Sequence, residues 1–91
     1  MDKEKILAVL TPYDFSILSK NSLISLICGR QLKTAKKRQE EVELSLTVRE
    51  LEELIGYVAA ECNHARTERQ REDLGQICDY LESFGYRPHM P

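Results

Sequence analysis

Glu61 and His64 stand three residues apart, a spacing that on a helix aims a carboxylate and an imidazole at one metal ion. Steps of four toward the N-terminus add Tyr57 and Glu53 to the same polar stripe. A di-metal carboxylate bundle needs two Glu-x-x-His pairs and two further glutamates from facing helices. One copy of the chain supplies one pair, so such a centre would form only in a dimer, with Glu72 or Glu53 as the extra carboxylate. A match to so short a pattern recurs by chance, and a surface pair or a helix-end cap explains it equally well. The favoured reading therefore assigns the chain no metal and no cofactor, with Glu61 and His64 as the candidates should a metal be found.

Arg30, Lys33 and Lys37 form a second constellation, and if the chain is helical there they share a face that could touch phosphates. The acids Glu40, Glu41 and Glu43 follow at once, so Lys36–Glu40 and Lys37–Glu41 are expected as ordinary i,i+4 pairs. With only Leu32, Ala35 and Val42 to bury, residues 30–43 are expected as a charged exposed helix or a linker. No aromatic ladder accompanies the cations. Nucleic-acid binding through 30–38 is thus an alternative and not the favoured function.

The three cysteines, Cys28, Cys62 and Cys78, are odd in number and never arranged as Cys-x-x-Cys, which argues against a disulfide framework or a zinc site. The four glycines stand far apart, so no phosphate loop is present, and Gly-x-Ser-x-Gly is absent. A nucleophile would also lack bases, with only two histidines in the chain. No enzyme is expected.

The elements that position these residues are clearest between 47 and 84. Thr47-Val48-Arg49-Glu50 has the capping-box pattern, with Leu46 and Leu51 at the spacing of a hydrophobic staple. Thr67-Glu68-Arg69-Gln70 repeats the signal. Apolar residues then recur at helical steps, as Val48, Leu51, Leu54, Ile55, Val58 and Cys62, and again as Leu74, Ile77, Cys78 and Leu81. The spacing predicts an αα-hairpin over about 48–65 and 68–84, reversing near Arg66. In that register Cys62 faces residue 71 and Cys78 faces residue 55, an axial offset of roughly 10 Å at 1.5 Å per residue. Such an offset precludes an internal disulfide. Gly56, Ala59, Ala60 and Gly75 gather where the two axes would come close.

Upstream, Thr11-Pro12-Tyr13-Asp14 is a helix opening and Asn21-Ser22 offers another cap. The segments 6–10, 15–18 and 23–27 are read as one or two shorter N-terminal helices. The tail 86–91, with two prolines and no periodicity, is read as disordered.

Ninety-one residues, 42% of them apolar, make a single small domain of all-α class. Its 13 basic and 15 acidic residues leave a net charge of −2, without the positive excess of a nonspecific nucleic-acid binder. No secretory h-region and no membrane-length apolar run is present, which points to the cytoplasm and away from a membrane partner. The favoured function is a protein-interaction or assembly module, homodimerising through the hairpin or binding another protein. The expected interface is Leu51, Ile55, Gly56, Val58, Ala59, Gly75, Ile77 and Leu81.

Overall fold

The computed structural model describes residues 5–85. The sequence prediction for the 86–91 tail lies outside them. The order of elements is β1 (Lys5–Leu10), α1 (Pro12–Lys20), α2 (Ser22–Ile27), α3 (Gly29–Lys33), β2 (Lys36–Lys37), β3 (Val42–Thr47), α4 (Val48–Asn63) and α5 (Glu68–Glu82). The fold is α+β, which corrects the all-α expectation. β3 is the central strand of a three-stranded sheet, antiparallel to β1 on one side and to β2 on the other.

Two segments account for the correction. Ile6 to Leu10 is an unbroken apolar run whose periodicity does not separate a short helix from a strand. It forms β1 and pairs with β3 from Lys5↔Thr47 to Leu10↔Val42. The second segment did carry a strand signal. Val42-Glu43-Leu44-Ser45-Leu46-Thr47 alternates apolar with polar, and Val42, Leu44 and Leu46 are buried while Ser45 is exposed. Residues 30–43 are accordingly neither one helix nor a linker. They comprise α3, β2 and a tight reversal in which the Arg38 N–H donates to the Glu41 carbonyl at 2.7 Å.

The caps form where the local sequence places them. The Thr47 hydroxyl accepts from the Glu50 N–H at 3.1 Å, and the Glu50 carboxylate accepts from the Thr47 N–H at 2.9 Å, a complete capping box. Thr11, Asn21 and Thr67 cap α1, α2 and α5 through the N–H groups of Asp14, Ile24 and Gln70. The Gln70 side chain reaches one residue further than a capping box requires and accepts from Arg66.

One core joins the layers. Ala8, Leu10, Val42, Leu44 and Leu46 from the sheet meet Leu51, Leu54, Ile55 and Val58 of α4, and Leu74, Ile77 and Leu81 of α5, with Phe15, Leu18, Ile24 and Leu32 closing the cluster. The opposite sheet face meets water, as an antiparallel sheet permits, and Leu7 on it is exposed. At the outer edge of β1 the Val9 N–H donates to the Tyr80 hydroxyl at 2.8 Å. That bond ties α5 to the strand and blunts an edge otherwise open to pairing.

Candidate functional site

The metal candidates do not converge. Among the described residues no group of three or more His, Cys, Asp or Glu side chains is placed to hold an ion. The Glu61 carboxylate accepts from the Asn21 side-chain amide at 2.9 Å, which links α4 to the start of α2. His64 is exposed at the C-cap of α4. Glu53 and Glu72, considered as extra donors, are both exposed.

The cysteines follow the register read from sequence. The Cys62 thiol donates to the Arg71 carbonyl at 3.4 Å, and all three thiols are free. Burial, and then the carboxylates of Glu82 and Asp79, push the Cys78 thiol up to about 11, the reverse of what a nucleophile needs. Burial and then Glu53 likewise raise Cys28.

The residues expected to form a dimer seam lie inside one chain. Leu51, Ile55, Val58 and Leu81 are wholly buried and Ile77 is 1% exposed, covered by the sheet and the N-terminal helices. Gly56, Ala59 and Gly75 are half-buried. Gly75 is not a point of forced contact: a β-carbon there would meet the Cys62 sulfur at an ordinary 3.8 Å.

The basic candidates regroup. Arg30 and Lys33 lie on α3, but Lys37 lies on β2, so the single helical face expected for them does not exist. The reversal between α3 and β2 nevertheless brings Lys33 and Lys37 to one cleft of about 390 Å³. Its apolar lining is Phe15 and Leu32, its hydroxyls are Ser19 and Ser25, and Gly29 forms part of the wall. The Lys37 ammonium lies 5.2 Å from the centroid of the Phe15 ring, within cation–π range. Among the described residues the salt bridges are Arg38–Glu43 at 3.2 Å and Arg69–Asp73 at 3.8 Å. The expected pairs Lys36–Glu40 and Lys37–Glu41 do not form, because i,i+4 neighbours meet only on a helix. Among the described residues Lys33 and Lys37 are thus left without a carboxylate partner. A hollow at the hairpin turn sets Arg66 and Arg71 against Glu68 and Glu72 and is balanced in charge.

Beside the cleft, α2 carries surplus apolar surface. Helical positions advance by about 100° per residue, so Ile24, Ile27, Leu23 and Leu26 spread over nearly half the circumference of α2. Their exposures follow that order, at 0%, 40%, 37% and 80%. A short helix resting on one core cannot cover so wide an arc, and that width was readable in the sequence as a sign of an unpartnered face. By contrast Tyr13, 51% exposed, is engaged: its hydroxyl donates to Asp73 at 2.7 Å and accepts from Arg69 at 3.2 Å.

Charge separates the same way. Between positions 12 and 38 six basic residues, Lys20, Arg30, Lys33, Lys36, Lys37 and Arg38, stand against one acid, Asp14. From 39 to 85 twelve acids stand against four arginines. The small net charge of the chain conceals a basic helical end and an acidic hairpin. Compared with known proteins, the chain matches no family model and has no significant similarity to a curated protein or a solved structure.

Proposed function

We propose that the chain is a protein-interaction module whose docking face is α2, flanked by the cations of α3 and β2, and that its partner is an acidic, amphipathic protein segment. The observation that carries this reading is Leu26, 80% exposed beside Leu23 and Ile27, on the one part of the chain with a basic excess. Exposed aliphatic side chains on a stretch with a basic excess match a partner that presents leucines bordered by carboxylates, since complementary charge steers encounter and apolar burial holds the complex.

A second copy fits this face less well. Two copies meeting there would bring like-charged basic stretches together, and the hairpin stripe first expected to dimerise is already covered within one chain. Nucleic acid is disfavoured because the large exposed side chains of α2 are aliphatic, not the aromatics on which bases stack. Among the described residues no helix is long and apolar enough to cross a membrane.

Fluorescence anisotropy with a labelled helical peptide, leucines on one face and glutamates on the other, tests the proposal. The acidic peptide is expected to bind, with affinity falling as salt rises, and a lysine-for-glutamate version to bind at least tenfold more weakly. Leu26→Gln should abolish binding with an unchanged melting temperature. Equal binding of both peptides, an indifferent Leu26→Gln variant, a dimer by light scattering that Leu26→Gln dissolves, or preferred binding of an oligonucleotide would each overturn it.

A further inference from the structure

The cleft between α1, α3 and β2 has a chemistry distinct from that of the α2 face. Phe15 and Leu32 are 8% and 6% exposed, so their contribution is a firm apolar floor rather than mobile surface. Lys33 and Lys37 line the same hollow with no carboxylate among the described residues to neutralise them. Ser25 adds a hydroxyl that can donate to an anion, while that of Ser19 is already donated to the Ser16 carbonyl at 3.3 Å. The opening of about 390 Å³ falls within the range of small-molecule sites, which pair an apolar lining with a few converging polar groups. Nothing crowds it at Gly29, where a β-carbon would have no neighbour within 4 Å.

We infer that this cleft is a binding site for small amphiphilic anions, in which an apolar or aromatic body rests on Phe15 and Leu32 while a carboxylate or phosphate head meets Lys33 and Lys37. Neither half of the cleft suffices alone. Exposed ammonium groups hold a bare anion weakly in water, where Coulomb attraction is screened, and an apolar hollow of this size gives a neutral body no preferred end. Joining the two selects molecules with one charged end. The inference does not depend on the α2 face, since Leu23, Leu26 and Ile27 are not part of the cleft lining.

Titration followed by amide chemical shifts on the full chain distinguishes the contributions, with 4-phenylbutyrate, phenyl phosphate, 4-phenylbutanol and inorganic phosphate as probes. The two aryl anions are expected to shift amides around Phe15 and Gly29 and to bind at least tenfold more tightly than the alcohol or inorganic phosphate. Whichever aryl anion binds more tightly identifies the preferred head. Replacing both lysines with glutamine should cost the aryl anions about tenfold and leave the alcohol unchanged, as expected for loss of a charge-assisted contact. Gly29→Leu should abolish binding without lowering the melting temperature, because a β-carbon there meets no neighbour within 4 Å and leucine favours a helix over glycine. Leu26→Gln should leave anion binding intact, which separates this site from peptide docking. Equal affinity for alcohol and acid, equal affinity for inorganic and phenyl phosphate, an indifferent Gly29→Leu variant, or no shift with any probe would overturn the inference.

Discussion

In the α4–α5 hairpin the large apolar side chains of the facing stripes are fully covered, with Leu51, Ile55, Val58, Leu74 and Leu81 all at 0% exposure; in α2 only Ile24 is, and Leu26 stands 80% exposed. The hairpin has two long helices with narrow stripes, each meeting the sheet or the other helix. α2 has six residues and a wide apolar arc, of which its neighbours α1, α3 and α4 bury only Ile24. Charge deepens the contrast, since the hairpin half is acidic and the α1–β2 half basic. The difference teaches that the region with the most regular pattern is committed to folding, while the region whose apolar residues exceed what packing absorbs is where recognition can occur.

The sharpest way to break this comparison is a pair of truncations. Leu51→Ala should cost about 2–5 kcal/mol in urea unfolding, the range for emptying a packed core site. Leu26→Ala should stay within about 0.5 kcal/mol, as surface substitutions do. Similar losses at both sites would mean that α2 is covered in solution.

Next in size is the tie between strand and hairpin. Tyr80→Phe removes the acceptor of the Val9 N–H and should cost about 1–2 kcal/mol, the range for a hydrogen bond lost from a partly buried group. Amide exchange at Val9 should accelerate while exchange in the β1–β3 ladder changes less. Uniform acceleration across β1 would show instead that Tyr80 supports the whole strand.

Smaller still is the effect of the helical glycines. Gly75→Ala should stabilise the chain by up to about 1 kcal/mol through helix propensity alone, given the 3.8 Å clearance to Cys62. A loss on thermal unfolding would restore Gly75 as a close-contact point between α4 and α5.

The last effect, absent at neutral pH, is the pH dependence of the hairpin thiol. Cys78 is raised from 9.0 to about 11, chiefly by burial, so the folded state holds its proton more tightly than the unfolded chain. Its contribution is fully present below pH 9 and is lost as pH rises through about 11. Stability over pH 9–11 should therefore fall more steeply in the natural chain than in Cys78→Ala. Iodoacetamide at pH 8 should modify Cys78 more than tenfold more slowly in the folded chain than in urea.

The hairpin was legible because its signals repeat: two threonine caps, two stripes at helical steps and a short reversal. β3 was legible too, in the alternation of Val42, Leu44 and Leu46 with Glu43, Ser45 and Thr47, but the basic run before it and the staple leucine after it drew those residues into helical readings. β1 was not, since five consecutive apolar residues have no period. Of the candidate sites, Lys33 and Lys37 were found in the sequence for a reason that does not hold, a shared helical face. The α2 patch and the hydroxyls of Ser19 and Ser25 were not identified as a site at all.

By itself the sequence determined the helix starts at Thr11, Asn21, Thr47 and Thr67, because a cap is a bond between groups three residues apart and needs no distant partner. Only the tertiary structure decided that 5–10 would pair with 42–47, that the hairpin stripe would be covered by a sheet, and that Lys33 and Lys37 would line one cleft. Those outcomes depend on segments tens of residues apart closing on a shared core, and long-range closure is decided by which apolar faces can be covered together, not by local pattern.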